Sequence, residues 1–283
     1  MDAGACGVHA HPTSVNESSP APPSIEATPF DDGALYDLFF ERLDFGVDFY
    51  LGLAKATGGS VLDVACGTGR ILLPCLQAGV DTDGLDLFAG MLTRLRQKAA
   101  ALGFSPQLYQ ANMAGFRLPR RYALIMIPFN AFVHNLTTED QLATLKSCCT
   151  HLQPGGMLVF DTAFPGPAWI NAPNGIREME MEIPHPETGL PMRLWDTRTF
   201  DRVKQIQESH NEIEMLDAKG AVIAVHHAKT TIRWIYKTEM ELLLGAAGFD
   251  HWNISGGFDG RPLLHETDAM IVQAWTRSQS TPA

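Results

Sequence analysis

The 283-residue sequence predicts an α/β fold, a doubly wound, mostly parallel, Rossmann-like sheet carrying an antiparallel β-sheet insert. Three observations predict it. Between Val61 and Thr162 short apolar runs alternate with longer segments of helical period, the rhythm of parallel strands joined by crossover helices. From about Ile176 to Tyr236 the rhythm changes to polar/apolar alternation, the mark of strands with one packed and one wet face. The first apolar run ends in Gly67-Thr68-Gly69 and then a helix, which is where such sheets open toward a ligand.

The elements follow in order. Residues 1–30 are rich in Pro, Ser, Ala and Gly without hydrophobic period, and predict a disordered tail. Leu35, Leu38, Phe39 and Leu43, then Val47, Tyr50, Leu51 and Leu53, recur at helical spacing and predict one or two amphipathic helices. Strands are expected at Val61–Ala65, Asp83–Leu87, Gln107–Gln110, Ala123–Ile127 and Met157–Thr162. Helices are expected near Ile71–Gln77, Phe88–Ala101 and from Thr137 or Thr138 to Leu152, the last stopped by Pro154-Gly155-Gly156. The insert reads as three or four strands, with Glu-Thr-Gly and Lys-Gly turns. A helix at Lys237–Ala247 ends on Gly248, and strands near Trp252–Ser255 and Ala269–Trp275 close the chain. The expected division is a tail over 1–30, a sheet domain with N-terminal cap helices over 31–165 and 237–283, and the insert over 166–236.

Composition narrows the function classes. With 21 basic and 32 acidic residues the net charge is −11, which repels phosphate backbones and anionic membranes. No run approaches the roughly 18 apolar residues of a membrane span. Residues 1–28 lack a basic n-region and an apolar h-region, so no secretory signal is expected. The five cysteines, Cys6, Cys66, Cys75, Cys148 and Cys149, have no framework or metal-ligand spacing. Free thiols, no metal and a cytoplasmic location are the expectations.

The segment Val61–Arg70, VLDVACGTGR, carries the functional argument. Its glycines let a ligand approach the backbone, and the helix N-terminus offers unpaired N–H groups. A dinucleotide fingerprint needs a third small residue three positions after Gly69, where Leu72 stands. A nucleoside-like cofactor without pyrophosphate fits better. Asp86, at the end of the second strand, can accept both hydroxyls of a ribose or merely cap the next helix.

VLDVACGTGR resembles the first motif of class I S-adenosylmethionine-dependent methyltransferases, and GLDLFAGML (84–92) their second. QANMAGF (110–116) is similar to the adenine-holding stretch, and IPFNAFVHN (127–135) with LQPGGMLVFD (152–161) to the fourth motif and the strand beyond. The resemblance covers residues 61–162 and implies a seven-stranded sheet and S-adenosylmethionine as cofactor. It places Asp63, Ala65, Gly67, Gly69, Asp86, Leu87, Asn112, Met113 and Phe129 around that cofactor, with Phe129 near its methionine end. Two residues depart from the family pattern: Ala65 stands for the usual glycine, and Asn112 for an aspartate whose adenine bond an amide oxygen can still accept. Arg70 either reaches the cofactor carboxylate or is a solvated helix residue.

In the small-molecule N-methyltransferases with a comparable insert, including those acting on amino sugars, a His after the fourth motif and a Tyr of the N-terminal helices face the acceptor. The matching residues are His134 and Tyr36. Their competing roles are a helix-cap histidine and a core aromatic. His134 is the expected general base, since imidazole titrates in the useful range. The insert is expected to cover the acceptor, with His226, His227, Arg233, Trp234 and Tyr236 as possible walls and handles, while His185, His210 and His265 have no partner spacing. The expected partner is a small-molecule acceptor, first an amine and next an alcohol or phenol; a homodimer is left open. The Asn/Asp/Ser-Pro-Pro-Tyr/Phe motif of base-modifying enzymes is replaced by Ile127-Pro128-Phe129-Asn130, which with the acidic charge argues against nucleic acid. A protein methyltransferase and a non-catalytic cofactor-binding protein remain as other classes.

Overall fold

A computed structural model describes residues 28–41 and 43–278. The expected tail therefore falls, over residues 1–27, outside the described residues.

Two helices come first, α1 (Gly33–Phe40) and α2 (Val47–Thr57). Asp32 caps α1 by accepting from the Ala34 and Leu35 N–H groups. Then strand and helix alternate: β1 (Val61–Val64), α3 (Leu72–Gln77), β2 (Thr82–Asp86), α4 (Ala89–Ala101), β3 (Leu108–Gln110), β4 (Tyr122–Ile127), α5 (Thr138–His151) and β5 (Leu152–Ala163). After a short helix α6 (Pro167–Ile170) come β6 (Arg177–Pro184), β7 (Pro191–Asp201), β8 (Ile206–Leu216) and β9 (Val222–Arg233). The chain ends with α7 (Lys237–Ala247), β10 (His251–Ser255) and β11 (Ala269–Trp275).

The main sheet has seven strands in the order β10-β11-β5-β4-β1-β2-β3, with β1 at the reversal of strand order. Only β11 opposes the common direction, since it pairs antiparallel to both β5 and β10. Both faces of the sheet are covered, and alternate residues show it. Leu62, Val64, Ile125 and Ile127 pack with α5 and α7 residues such as Leu145 and Leu244. Val61, Leu124 and Met126 pack on the opposite side with Tyr50, Ala54 and Ile71. That double burial is why β4 reads as a continuous apolar run and why β1 is apolar except at the buried Asp63.

One boundary differs from expectation. Helix α5 ends at His151, as expected, but β5 begins at Leu152 and not at Met157, and it already pairs there with Tyr122. The register then jumps to Leu124 opposite Met157, so Pro154-Gly155-Gly156 is an outward bulge within β5. Gly155 takes φ 76° there and donates its N–H to the Arg277 carbonyl. The insert is a separate four-stranded antiparallel sheet, β6-β7-β8-β9. Among the described residues no helix is long and apolar enough to cross a membrane.

Candidate active site

A cavity of about 960 Å³ opens at the C-terminal ends of β1, β2 and β4, and β7, β8 and β9 of the insert form its far wall. Sheets of this type place ligands there, outside the strand ends at the switch point.

The turn after β1 forms the near wall, and its two glycines serve different ends. A Cβ on Gly67 (φ 54°) would meet nothing within 4 Å, so this residue leaves open space on the cavity side. A Cβ on Gly69 (φ 95°) would stand 2.3 Å from Leu95 Cδ1, so that glycine lets α4 pack against the turn. Ala65 sits between them and the strand at φ 56°, a left-handed conformation that explains why glycine is the usual residue in this motif. Asp86 closes the turn from β2: its Oδ2 accepts the Gly67 N–H at 2.8 Å and its Oδ1 the Phe88 N–H at 2.9 Å. Burial raises the Asp86 pKa, and those N–H groups oppose the shift.

Ala65, Gly67, Asp86 and Leu87 all line the cavity, as do Asn112, Met113 and Phe129. Asn112 caps a 3-10 turn at Met113–Gly115, with Oδ1 accepting the Ala114 N–H at 2.9 Å. One lone pair of that oxygen remains for a ligand.

Three expected cofactor residues do not line it. Asp63 is buried below the turn, with Oδ1 unpartnered, and burial pushes its pKa up to about 8. Gly69 faces Leu95 and Leu73. Arg70 donates to the Leu43 and Phe45 carbonyls and lays its guanidinium 4.1 Å over the Phe129 ring. It supports a cavity wall from behind.

His134 and Tyr36 are brought together on the cavity. His134 ends a 3-10 turn, Ala131–His134, and its Nδ1 lies 3.3 Å from the Thr231 carbonyl of β9. Burial lowers its pKa. Tyr36 packs against Phe40, and burial pushes its hydroxyl up to about 12, so it is a neutral donor. Helix α1 is anchored beside it: the buried Asp37 accepts the Thr68 hydroxyl at 2.6 Å and Arg94 Nε at 2.7 Å. Phe30 also joins the wall, edge-on to His134 with centroids 5.3 Å apart. The expected tail boundary at residue 30 therefore runs too far, because Thr28–Phe30 lines the cavity.

The insert does face the cavity, but through other residues than expected. His226 and His227 are exposed. Arg233 is tied to Gln141, Gln205 and Glu239, Trp234 is buried, and Tyr236 stands edge-on to Phe164. Gln207, Ser209 and Asn211, alternate residues of β8 that share a face, line the cavity together with Arg198 of β7 and Lys229 of β9. Gln207 and Ser209 are held in a chain: Trp169 Nε1 donates to Gln207 Oε1 at 2.6 Å, Gln207 Nε2 to Ser209 Oγ at 2.9 Å, and Ser209 Oγ to Asp196 Oδ2 at 3.1 Å. The period of two in Gln207, Ser209 and Asn211 was the signal in the sequence. Tyr50 and Asp161 carried no signal of a site role in the sequence, yet Asp161 accepts the Tyr50 hydroxyl and the Phe129 and Asn130 N–H groups of the cavity wall. Among the described residues no three His, Cys, Asp or Glu side chains gather as a metal site.

A doubly wound sheet with an open glycine turn and a buried carboxylate on a cavity at its switch point defines the class of α/β proteins that bind a ligand at the strand ends. The comparisons sharpen that class. Residues 61–156 match the family model described as Methyltransferase domain. A dTDP-3-amino-3,6-dideoxy-alpha-D-glucopyranose N,N-dimethyltransferase of Streptomyces fradiae is 30% identical over 206 residues, 72% of this chain and 75% of that enzyme. A dTDP-3-amino-3,4,6-trideoxy-alpha-D-glucopyranose N,N-dimethyltransferase of Streptomyces venezuelae is 33% identical over 140 residues, 46% of this chain; the chain spans 56% of that enzyme's length. The structure of an S-adenosylmethionine-dependent methyltransferase from Clostridium acetobutylicum shares the fold, with TM-score 0.71 at 16% identity over 87% of this chain and 97% of that one. The chain belongs to the class I S-adenosylmethionine-dependent methyltransferases.

Proposed function

We propose that this protein methylates the amino group of a small polyhydroxylated acceptor of the amino-sugar type, using S-adenosylmethionine. The His134–Thr231 contact carries the reading. A carbonyl oxygen only accepts, so Nδ1 bears the ring proton and Nε2 keeps a lone pair. A half-buried imidazole on the cavity wall, its pKa lowered by desolvation so that it is neutral, suits removal of a proton from an amine.

The remaining residues fit the cofactor and the acceptor. S-adenosylmethionine, when bound, supplies an electrophilic methyl group on a sulfonium. Asp86 would accept its ribose hydroxyls, the Gly67 turn would admit its backbone-facing edge, and Asn112 and Met113 would hold its adenine. Phe129 would flank the methionine end, with Arg70 supporting it. Asp63 and Gly69 shape the turn from below. The polar face of β8 would orient the acceptor's hydroxyls, while Tyr36 donates a hydrogen bond and, with Phe30 and Phe40, keeps water out. The insert over 166–236 thus acts as the acceptor cover. The amino-sugar class comes from the two Streptomyces relatives together with this polar face. Net charge −11 and reduced thiols favour a cytoplasmic enzyme with no nucleic-acid or membrane partner.

The test is release of S-adenosylhomocysteine with a panel of amino sugars, simple amines, phenols and thiols. Turnover with amino sugars is expected; turnover confined to phenols or thiols would refute N-methylation.

A further inference from the structure

One carboxylate is bonded by two successive backbone groups of the cavity wall. Asp161, buried near the C-terminal end of β5, accepts the Phe129 N–H on Oδ1 at 2.8 Å and the Asn130 N–H on Oδ2 at 2.9 Å. The Tyr50 hydroxyl of α2 donates to Oδ1 at 2.6 Å. Phe129 and Asn130 stand at φ 60° and 56°, two consecutive side-chain-bearing residues in the left-handed region. L-residues visit that region singly and at a cost, so a consecutive pair persists only where the surroundings impose it.

The surroundings are all visible here. Asn130 Oδ1 accepts the Ala163 N–H at 2.6 Å, and Arg70 packs on the Phe129 ring. Those contacts hold side chains; Asp161 bonds both backbone N–H groups of the pair. Converging N–H groups of this kind form an anion-binding concavity, and here the chain's own carboxylate fills it. Pro128, Phe129, Asn130 and Ala131 all line the cavity, and His134 follows in the same segment.

We propose that Asp161 is the positioning residue of this wall: it imposes the left-handed Phe129–Asn130 backbone and thereby sets the affinity for S-adenosylmethionine. The inference rests on the methyltransferase reading. Asparagine at 161 preserves size but inverts one end, placing an N–H₂ donor against a backbone N–H donor, so one of the two bonds is lost.

The test is a calorimetric titration of S-adenosylmethionine into wild type, Asp161→Asn and Leu145→Ala. Leu145 is a buried core residue of α5, outside the cavity wall, and its truncation serves as a stability control. Asp161→Asn is expected to bind at least tenfold more weakly at native circular dichroism. Leu145→Ala is expected to lose at least as much melting temperature and keep its affinity within twofold. A folded Asp161→Asn with wild-type affinity overturns the proposal. So does an equal loss in both variants, which would make Asp161 merely structural. Hydrogen exchange on the wild-type protein keeps the question open to test if Asp161→Asn does not fold: the Phe129 and Asn130 amides are expected to exchange as slowly as those of β4, and fast exchange overturns the proposal. Failure of the wild type to bind S-adenosylmethionine would instead refute the underlying reading.

Discussion

Asp86 and Gly67 are joined directly, the Asp86 carboxylate accepting the Gly67 N–H at 2.8 Å across the mouth of the β1 turn. The residue that would read a ribose is therefore the same one that fixes the turn beneath it. Asp86→Ala removes a charged acceptor and is expected to weaken S-adenosylmethionine binding by about 1.5–3 kcal/mol. Calorimetry measures it, with no NAD binding expected in wild type. Unchanged affinity in the folded variant would remove Asp86 from the site.

Asp63 makes a prediction about pH. Burial raises its pKa to about 8 in the folded chain, against about 3.9 for an unfolded aspartate. The folded state then holds this proton more tightly than the unfolded one. Its contribution to stability is full below about pH 4 and is lost as pH rises through about 8. The Asp63→Asn protein is expected to lack this alkaline loss, so its melting temperature gains on wild type between pH 5 and pH 8.5. Parallel melting curves across that range would show that Asp63 is ionised throughout.

Phe30 bears on the base through desolvation. Its ring meets the His134 ring edge-on, and burial is what lowers the His134 pKa. Phe30→Ala admits water, so the acid limb of the kcat profile is expected to move up toward the ordinary histidine value of about 6.5. An unmoved limb would show that other groups dry the site. Deleting residues 1–27, whose sequence has no hydrophobic period, is expected to leave melting temperature and cofactor affinity nearly unchanged.

The sheet was legible because β4 is apolar on both faces, β1 departs from that only at Asp63, and α5 and α7 carry their own cap and stop, Thr137 and Gly248. The resemblance marked Gly67, Asp86, Asn112, His134 and Tyr36, which the fold brings to one cavity. What stayed hidden depends on contacts far apart in the chain. Asp161 reaches Phe129 and Asn130 from 31 or 32 residues away and Tyr50 from 111, and no spacing rule encodes that. On the insert, aromatic and charged residues drew attention, yet Trp234 packs inward and Arg233 pairs with Glu239. The quieter alternation Gln207, Ser209, Asn211 forms the wall, because facing is set by strand register and not by side-chain prominence.

If His134 takes the acceptor's proton, its removal slows the methyl-transfer step itself, which single-turnover kinetics of His134→Ala, alongside a cofactor titration of the same protein, measures. The acceptor is the one found by the panel above. The expected rate is about a hundredfold lower or more, with S-adenosylmethionine affinity nearly unchanged. In wild type the rate falls on the acid side below the usual histidine range, as Nε2 becomes protonated. A near-normal single-turnover rate in the folded variant, with melting temperature and cofactor affinity lost together, would rule out proton transfer to His134 and leave it a structural residue.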